Sequence, residues 1–139
     1  MNQEDMVREF HRVYGQRIAK CPQLPKTSER ELRKRLLKEE YNEYLQGEEN
    51  NDLVEIADAL GDMIYIICGT AVSYGIPITE IFNEIHRSNM SKLDENGKPI
   101  YREDGKILKG PGYFKPNLSA IIEKAGCDNC NCEGKGKIL

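Results

Sequence analysis

One segment of the chain, from about Asp52 to Tyr74, is apolar on almost every side when it is drawn as a helix. At a helical spacing of ~100° per residue, its hydrophobic side chains surround nearly the whole circumference; these are Leu53, Val54, Ile56, Ala57, Leu60, Met63, Ile64, Ile66 and Ile67. A helix of this kind is buried at the centre of a helical bundle. The sequence therefore predicts an all-α fold built around this helix.

Carboxylates interrupt this apolar surface along a single stripe. Glu55, Asp58 and Asp62 fall on one side of the predicted helix. The preceding stretch "LLKEEYNEYL" has the same anomaly, because Glu40 and Glu43 lie within the arc that its leucines and tyrosines mark as buried. Solvated acids on a surface helix lie opposite the apolar stripe, so these carboxylates need a partner that makes burial tolerable.

A divalent cation is such a partner. The short turn "GEENN" predicts that the two helices are antiparallel neighbours, which lets the pair Glu40 and Glu43 face the pair Glu55 and Asp58. Such acids repel one another and lose solvation, and a cation relieves both costs. Ligands that offer only oxygen favour magnesium first and manganese second. Asp62 is an additional ligand, an acid that supports the ligands from behind, or a partner of a basic residue at the end of the bundle.

One acidic pair of this spacing would mean little, since such pairs are common on solvated helices. Two pairs on apolar faces are harder to explain as surface charge. His11 and His86 are interpreted as ordinary helix residues rather than as ligands.

The elements before the central helix follow from spacing and turn residues. A first amphipathic helix is expected over residues 4–19, with Gly15 as a weak point or end. The second helix is expected from about Glu29 to Gln46, with Thr27 or Ser28 as its N-cap.

After the central helix, a fourth helix should begin at Pro77 or Ile78. The turn signals "ENGK" and "EDGK" around "PIYR" predict an irregular hairpin, and Asn117 and Gly126 are the expected cap and stop of a short final helix. We expect one domain over residues 1–125 and a cysteine-containing tail over 126–139.

Composition limits the possible partners and compartments. A formal net charge of −3 provides no global basic field, so neither nucleic acid nor an anionic membrane is expected as a partner. The amino terminus does not look like a signal peptide and the longest apolar stretch, around residues 63–72, is short for a membrane span, so a cytoplasmic protein is expected.

The five cysteines do not fit a secreted disulfide framework, so reduced thiols are expected. The tail offers Cys127, Cys130 and Cys132 as three zinc ligands, and Cys21 or a second chain could supply a fourth. A tail without zinc is the preferred interpretation.

The acidic pattern resembles a known family. "EEYNE" followed by "EIAD" is similar to the E-E-x-x-E and E-x-x-D signature of the all-α nucleoside triphosphate pyrophosphohydrolases. This MazG-like group includes dimeric dUTPases and phosphoribosyl-ATP pyrophosphohydrolase. The likeness extends to "VREFHRVYG", "DALGDMIYI" and "EIHRSNMSKLDENGKPIYREDGKILKGPGYFKP", so it covers about residues 5–122.

The resemblance implies a MazG-like helical bundle that converts a nucleoside triphosphate to the monophosphate and pyrophosphate with magnesium. The acids matched to the metal site are Glu40, Glu43, Glu55 and Asp58. Glu39 is the candidate to orient or deprotonate water, and which of Glu39 and Glu40 is the general base stays open. A homodimer or a dimer of dimers is expected, because the other helices leave little material to cover so apolar a third helix.

Substrate contacts are expected after the fourth helix. The resemblance places phosphate or sugar contacts at Arg87, Asn89 and Lys92, and "KGPG" adds Lys109, although a charge run in a turn-rich segment is commonly just solvated.

Two other functions fit a helical bundle with paired acids. A di-iron carboxylate oxidoreductase uses the same architecture, but the E-x-x-H motifs that it requires are missing from the sequence. A non-catalytic nucleotide-binding module would keep the fold, and only an assay separates it from the enzyme.

Overall fold

A computed structural model describes residues 1–129, with side chains as far as Gly126. The elements in chain order are α1 (Gln3–Val13), α2 (Thr27–Glu49), α3 (Leu53–Tyr74), α4 (Ile78–Met90), β1 (Ile100–Tyr101), β2 (Ile107–Leu108) and α5 (Leu118–Asn129). The two short strands pair antiparallel across the "EDGK" turn. The predicted all-α fold with a hairpin after the fourth helix is therefore confirmed.

The long helices α2 and α3 pack against each other along their whole length, in antiparallel directions. Near their connection, Gly47 lies so close to α3 that an added Cβ would be 3.0 Å from the side chain of Ile56. At the opposite end, the Ser73 hydroxyl donates to the Glu29 carboxylate at 2.8 Å. Residues late in α2 therefore contact residues early in α3, and residues early in α2 contact residues late in α3. The acidic residues of the two helices face each other between these two contacts.

Local chemistry fixes the ends of the central helix. The Asp52 side chain accepts a hydrogen bond from the Glu55 N–H at 3.1 Å, which satisfies one of the free donors in the first turn. At the other end, Gly75 adopts a left-handed backbone with φ of 74°. An added Cβ there would collide with the carbonyl of Cys21, so glycine is required for both conformation and space.

Three predicted helix boundaries need correction. α1 ends at Val13 rather than at residue 19, because Gly15 turns the chain with φ of 69°. α2 starts at Thr27 with Lys26 as its N-cap, so the prediction of a Thr27 or Ser28 cap is wrong. It also runs past Gln46 to Glu49, because Gly47 stays helical while packing on Ile56.

The final helix α5 also departs from its predicted end. The Asn117 side chain accepts from the Ala120 N–H at 3.3 Å, as expected of a cap. The helix does not stop at Gly126 but continues to Asn129, since a glycine within a helix weakens it without having to end it.

The apolar core lies around the carboxyl-terminal half of α3. Val7 of α1 packs with Cys68 and Val72 of α3, and Ile78 packs against this cluster. The amino-terminal half is more open, with Leu53 and Val54 about four-fifths exposed. The expectation that α3 is buried on all sides is thus wrong for a single chain.

By length and composition alone, α3 could cross a membrane, and it is the one such helix in the part of the chain that the structure describes. The apolar stretch on which the sequence-based expectation rested, around residues 63–72, is only part of this helix. The core helix of a soluble bundle passes the same criterion. α3 also carries Glu55, Asp58 and Asp62, and it packs against both α1 and α2.

The cysteine expectations change in one respect. Cys21 is disulfide-bonded, so the expectation of reduced thiols is wrong for this residue, and in this state it has no thiolate to offer to zinc. Cys68 is a free, buried thiol, and burial raises its pKa. The predicted tail ligands Cys127, Cys130 and Cys132 lie outside the described side chains.

Candidate functional site

Three carboxylates converge where α2 and α3 face each other. Oxygen atoms of Glu40, Glu43 and Asp62 all lie within 4.8 Å of one another. Glu40 and Asp62 are half-buried, whereas Glu43 is exposed. We call these three residues the acidic group.

Glu40 is the most constrained member of the acidic group. Its Oε2 atom is buried and has no hydrogen-bond partner among the described residues. Burial, a hydrogen bond with Glu43 and the charges of Glu43, Asp62 and Asp58 raise the pKa of Glu40 from an ordinary 4.5 to about 7. Without a cation, Glu40 is therefore protonated in about half of the molecules at neutral pH.

Asp62 is subject to the same forces. Burial first, and then the negative charges of Asp58 and Glu43, raise the pKa of Asp62. Asp58 is exposed, yet it is close enough to act on both half-buried acids. Four acids thus act on one another at the boundary between α2 and α3.

The donor set fits a hard divalent cation. The acidic group contains carboxylate oxygens and no histidine or cysteine. Such ligands suit magnesium or manganese rather than zinc, and a cation here would satisfy the unpaired Oε2 of Glu40.

The other predicted acids lie beside this group rather than within it. Glu55 is half-buried in the first turn of α3, ahead of Asp58 on the same stripe. Glu39 is exposed on α2, next to Glu40 in sequence but turned ~100° around the helix. Asp62, whose role the sequence left open, is a member of the acidic group. The ligand and base assignments of Glu39, Glu55 and Asp58 stay predictions.

The predicted substrate-binding residues belong to a second region, around the end of α4. Arg87 pairs with both oxygens of Glu84, at 2.8 and 3.1 Å, and lies 4.3 Å from the centre of the Phe114 ring. Glu84 also accepts from the Asn117 N–H at 2.6 Å, and the Ser88 hydroxyl donates to the Phe114 carbonyl at 2.7 Å. These bonds fasten the segment before α5 onto α4.

The remaining predicted contacts lie in the same folded-back segment. The Gly110 N–H donates to the Lys92 carbonyl at 2.9 Å, and the Lys109 ammonium lies 4.9 Å from the Tyr113 ring centre. Asn89 is exposed near the end of α4. No hydrogen bond or ion pair of the described residues joins these four residues to the acidic group, so their role stays a prediction.

Comparison with known proteins identifies the family. The sequence profile of the phosphoribosyl-ATP pyrophosphohydrolase family matches residues 7–89, a span that is more than half of the chain and includes the whole acidic group. The chain belongs to this family. The expected relationship to the MazG-like pyrophosphohydrolases is thereby confirmed.

Two known proteins are similar to this chain. An uncharacterized protein of Acanthamoeba polyphaga mimivirus is 29% identical over 104 residues, which cover 73% of this chain and 38% of that protein. The chain therefore spans well under half of that relative. The second is a proposed NTP pyrophosphohydrolase from Exiguobacterium sp. 255-15, known from a 1.78 Å crystal structure. It superposes with a TM-score of 0.54 at 22% identity, over 92% of this chain and 98% of its own, and shows the shared fold alone.

One polar cluster near the acidic group was not predicted from the sequence. Arg33 is only 6% exposed and His11 only 3% exposed, although both residue types are usually found at surfaces or in half-buried positions. A signal was present, because Arg33 lies seven residues before Glu40 and therefore on the same face of α2.

We predict that the metal-free protein loses stability as pH rises from about 4.5 to about 7 because of Glu40. The folded state binds this proton more tightly than the unfolded chain does, so the contribution of Glu40 is full at low pH and is lost through this range. Melting temperatures of chelator-treated protein should fall with pH more steeply for the wild type than for Glu40→Gln.

Both proteins keep His11, whose lowered pKa acts in the opposite direction, so the difference between the two melting curves isolates Glu40. Parallel curves for the two proteins would contradict the assigned burial and repulsion at this carboxylate.

Proposed function

We propose that this chain is a divalent-cation-dependent nucleoside triphosphate pyrophosphohydrolase, with magnesium as the preferred ion and manganese as the second. The observation that carries the proposal is the acidic group, in which Glu40 places a buried, unpaired oxygen among other carboxylate oxygens within 4.8 Å. Family membership supports hydrolysis of a nucleotide. The expected products are a nucleoside monophosphate and pyrophosphate.

Several acidic residues of the chain would share the binding of the cation. Glu40, Glu43 and Asp62 would hold the cation, with Asp58 and Glu55 close enough in sequence and helix face to take part. When bound, the cation would neutralise phosphate oxygens, orient the triphosphate and lower the pKa of water. Hydrogen-bond donors that could compete for Oε2 of Glu40 are missing among the described residues.

The position of Glu39 suits it to the role of general base. Glu40 faces α3 and is engaged with Glu43, which favours a ligand role. Glu39 is exposed on the adjacent part of α2, where its carboxylate can accept a proton from a water outside the acidic group.

The outer phosphates need cations, and the Arg87, Asn89, Lys92 and Lys109 region offers them. A substrate phosphate would compete with Glu84 for the Arg87 guanidinium. No hydrogen bond or ion pair of the described residues joins this region to the acidic group of the same chain. The proposal therefore includes a homodimer or a dimer of dimers in which the two regions are brought together.

The rival functions make different demands on the acidic group. A di-iron oxidoreductase would place histidines beside its carboxylates, whereas the acidic group holds three carboxylates and no histidine. A non-catalytic nucleotide-binding module would bind magnesium and nucleotide without releasing product.

We predict that the protein releases pyrophosphate, and not orthophosphate, from a nucleoside triphosphate in the presence of magnesium. The measurement is a panel of canonical and modified ribo- and deoxyribonucleoside triphosphates in which both products are quantified. A product mixture dominated by orthophosphate would overturn the cleavage position. Binding of triphosphates without turnover across the whole panel would favour the non-catalytic module.

We predict that Glu43→Gln and Asp58→Asn weaken magnesium binding and turnover together while leaving the metal-free protein at least as stable. Each amide keeps the shape of the side chain but removes one repelling charge, and no ion pair of the described chain involves either acid. Thermal melts with and without magnesium, beside a turnover assay, measure both effects.

Glu49→Gln is the matched control, because Glu49 is exposed on α2 outside the acidic group. Acids that served only structure, paired with a buried cation, would behave differently, and their amides would lower the stability of the metal-free protein by ~3–5 kcal/mol. A strongly destabilised variant with normal magnesium-dependent turnover would refute the metal-binding role.

The apolar surface of α3 predicts self-association in solution. Leu53 and Val54 are 78% and 80% exposed, and Ile64 is 54% exposed, in a single chain of 15.9 kDa. Sedimentation should give a mass of at least two chains, and Ile64→Lys should shift it toward one. Leu24→Lys serves as the control, since Leu24 is exposed but lies outside α3. A wild-type mass of one chain at every concentration would contradict the proposed assembly.

A further inference from the structure

Arg33 joins α2 to α3 at a point beside the acidic group. Its Nε donates to the Thr70 hydroxyl oxygen at 3.1 Å, and one Nη donates to the Ile66 carbonyl at 3.1 Å. The Thr70 hydroxyl in turn donates to the same Ile66 carbonyl at 3.0 Å. The guanidinium is therefore bound to two positions of α3, in the orientation that its planar fork dictates.

These bonds lie within two helical turns of the acidic group along both helices. Arg33 is seven residues before Glu40, which is two turns of α2 on the same face. Ile66 is four residues after Asp62, which is about one turn of α3. On the other side of the acidic group, Gly47 lies against Ile56. The carboxylates are thus bracketed by a polar anchor and a close backbone contact.

The space for Arg33 is provided by a glycine. A Cβ added to Gly69 would collide with an Nη of Arg33 and would lie 3.0 Å from Nε2 of His11. Nδ1 of His11 lies 2.8 Å from the Arg17 carbonyl, which can only accept, so Nδ1 carries the proton and Nε2 is left without one in the neutral ring. The imidazole and the guanidinium therefore meet over Gly69, and Arg33 is packed among α1, α2 and α3.

Stability alone does not account for a buried arginine at this position. Removing a guanidinium from water is costly, and an apolar side chain of similar volume is commonly as stabilising or more so. What the arginine adds is directional hydrogen bonding. Its two bonds, to the Thr70 hydroxyl and the Ile66 carbonyl, can both form only when α3 has one particular position along α2. A shift of one residue along a helix moves a side chain by ~1.5 Å and turns it by ~100°.

The repulsion within the acidic group makes such directional bonds necessary. Its charges repel one another across the boundary between α2 and α3, and the apolar contacts around them are not directional. We infer that Arg33 is a positioning residue that fixes the register of α2 on α3 and thereby holds Glu40 and Asp62 at metal-binding distance. This inference rests on the proposed function, since it assigns Arg33 a part in that cation site.

The experiment titrates the purified full-length protein with Mn²⁺ alone and follows free Mn²⁺ by electron paramagnetic resonance. Arg33→Met keeps a long side chain but removes both bonds, and it should weaken Mn²⁺ binding by ~10-fold or more, the size of effect seen when a residue that orients metal ligands is lost. Arg35→Met is the matched control, because Arg35 is exposed two residues further along α2, and its affinity should equal that of the wild type.

Two milder variants keep the test decisive if Arg33→Met fails to fold. Thr70→Val removes the acceptor of the Arg33 Nε without changing the side-chain shape, and Arg33→Lys keeps the charge but can reach only part of the fork. Both should weaken Mn²⁺ binding in the same direction as Arg33→Met but by less. All titrations are made well below the melting temperature of the least stable variant.

A purely structural role would lower melting temperatures and leave Mn²⁺ affinity unchanged. Folded Arg33→Met or Thr70→Val with wild-type Mn²⁺ affinity would therefore overturn the inference while the proposed cation site stands. A wild-type protein that binds no Mn²⁺ at millimolar concentration would instead overturn the proposed function, and the role of Arg33 with it.

Discussion

Repulsion between carboxylates across the boundary of α2 and α3 is the constraint on which the rest of the structure depends. Burial and neighbouring negative charges both act against ionisation of Glu40 and Asp62. Two helices that only packed apolar side chains would relieve this repulsion by separating or sliding. The close contact at Gly47 and the bonds of Arg33 oppose both movements, at opposite sides of the acidic group.

The protein has hydrogen-bonded polar side chains in its interior and exposed apolar side chains at the start of α3. The buried side chains of Arg33 and Ser73 have hydrogen-bond partners on another helix, and His11 bonds to the loop after α1. Leu53 and Val54 at the start of α3, by contrast, have little cover. A second chain over α3 would reduce water access to the acidic group as well as cover its apolar surface. Assembly and cation binding would then support each other.

Much of the site follows from the sequence, because the period of a helix decides which residues share a face. That period brought Glu40 and Glu43 together, and the short connection placed them opposite the stripe of α3. The helical period could not decide whether Glu55 or Asp62 lies beside Glu40 and Glu43. That choice depends on how far one helix is displaced along the other, which is fixed by contacts distant in sequence, such as Arg33 with Ile66.

The helix boundaries were missed for a related reason. Lys26 caps α2 without a side-chain hydrogen bond, and α1 ends at Val13, just before the turn at Gly15, which the sequence marked as a weak point or end. Intrinsic preferences near helix ends are small compared with tertiary contacts, so Gly47 and Gly126 both remain within helices.

The raised pKa of Glu40 has a calorimetric consequence. Because Glu40 has a pKa of about 7 before any ion binds, uptake of a cation at neutral pH must expel a fraction of a proton into the solvent. The heat measured on mixing then includes the protonation heat of whichever buffer receives it. Enthalpies recorded in PIPES and in Tris would differ for the same binding event, and the slope against buffer ionisation heat would count the protons displaced.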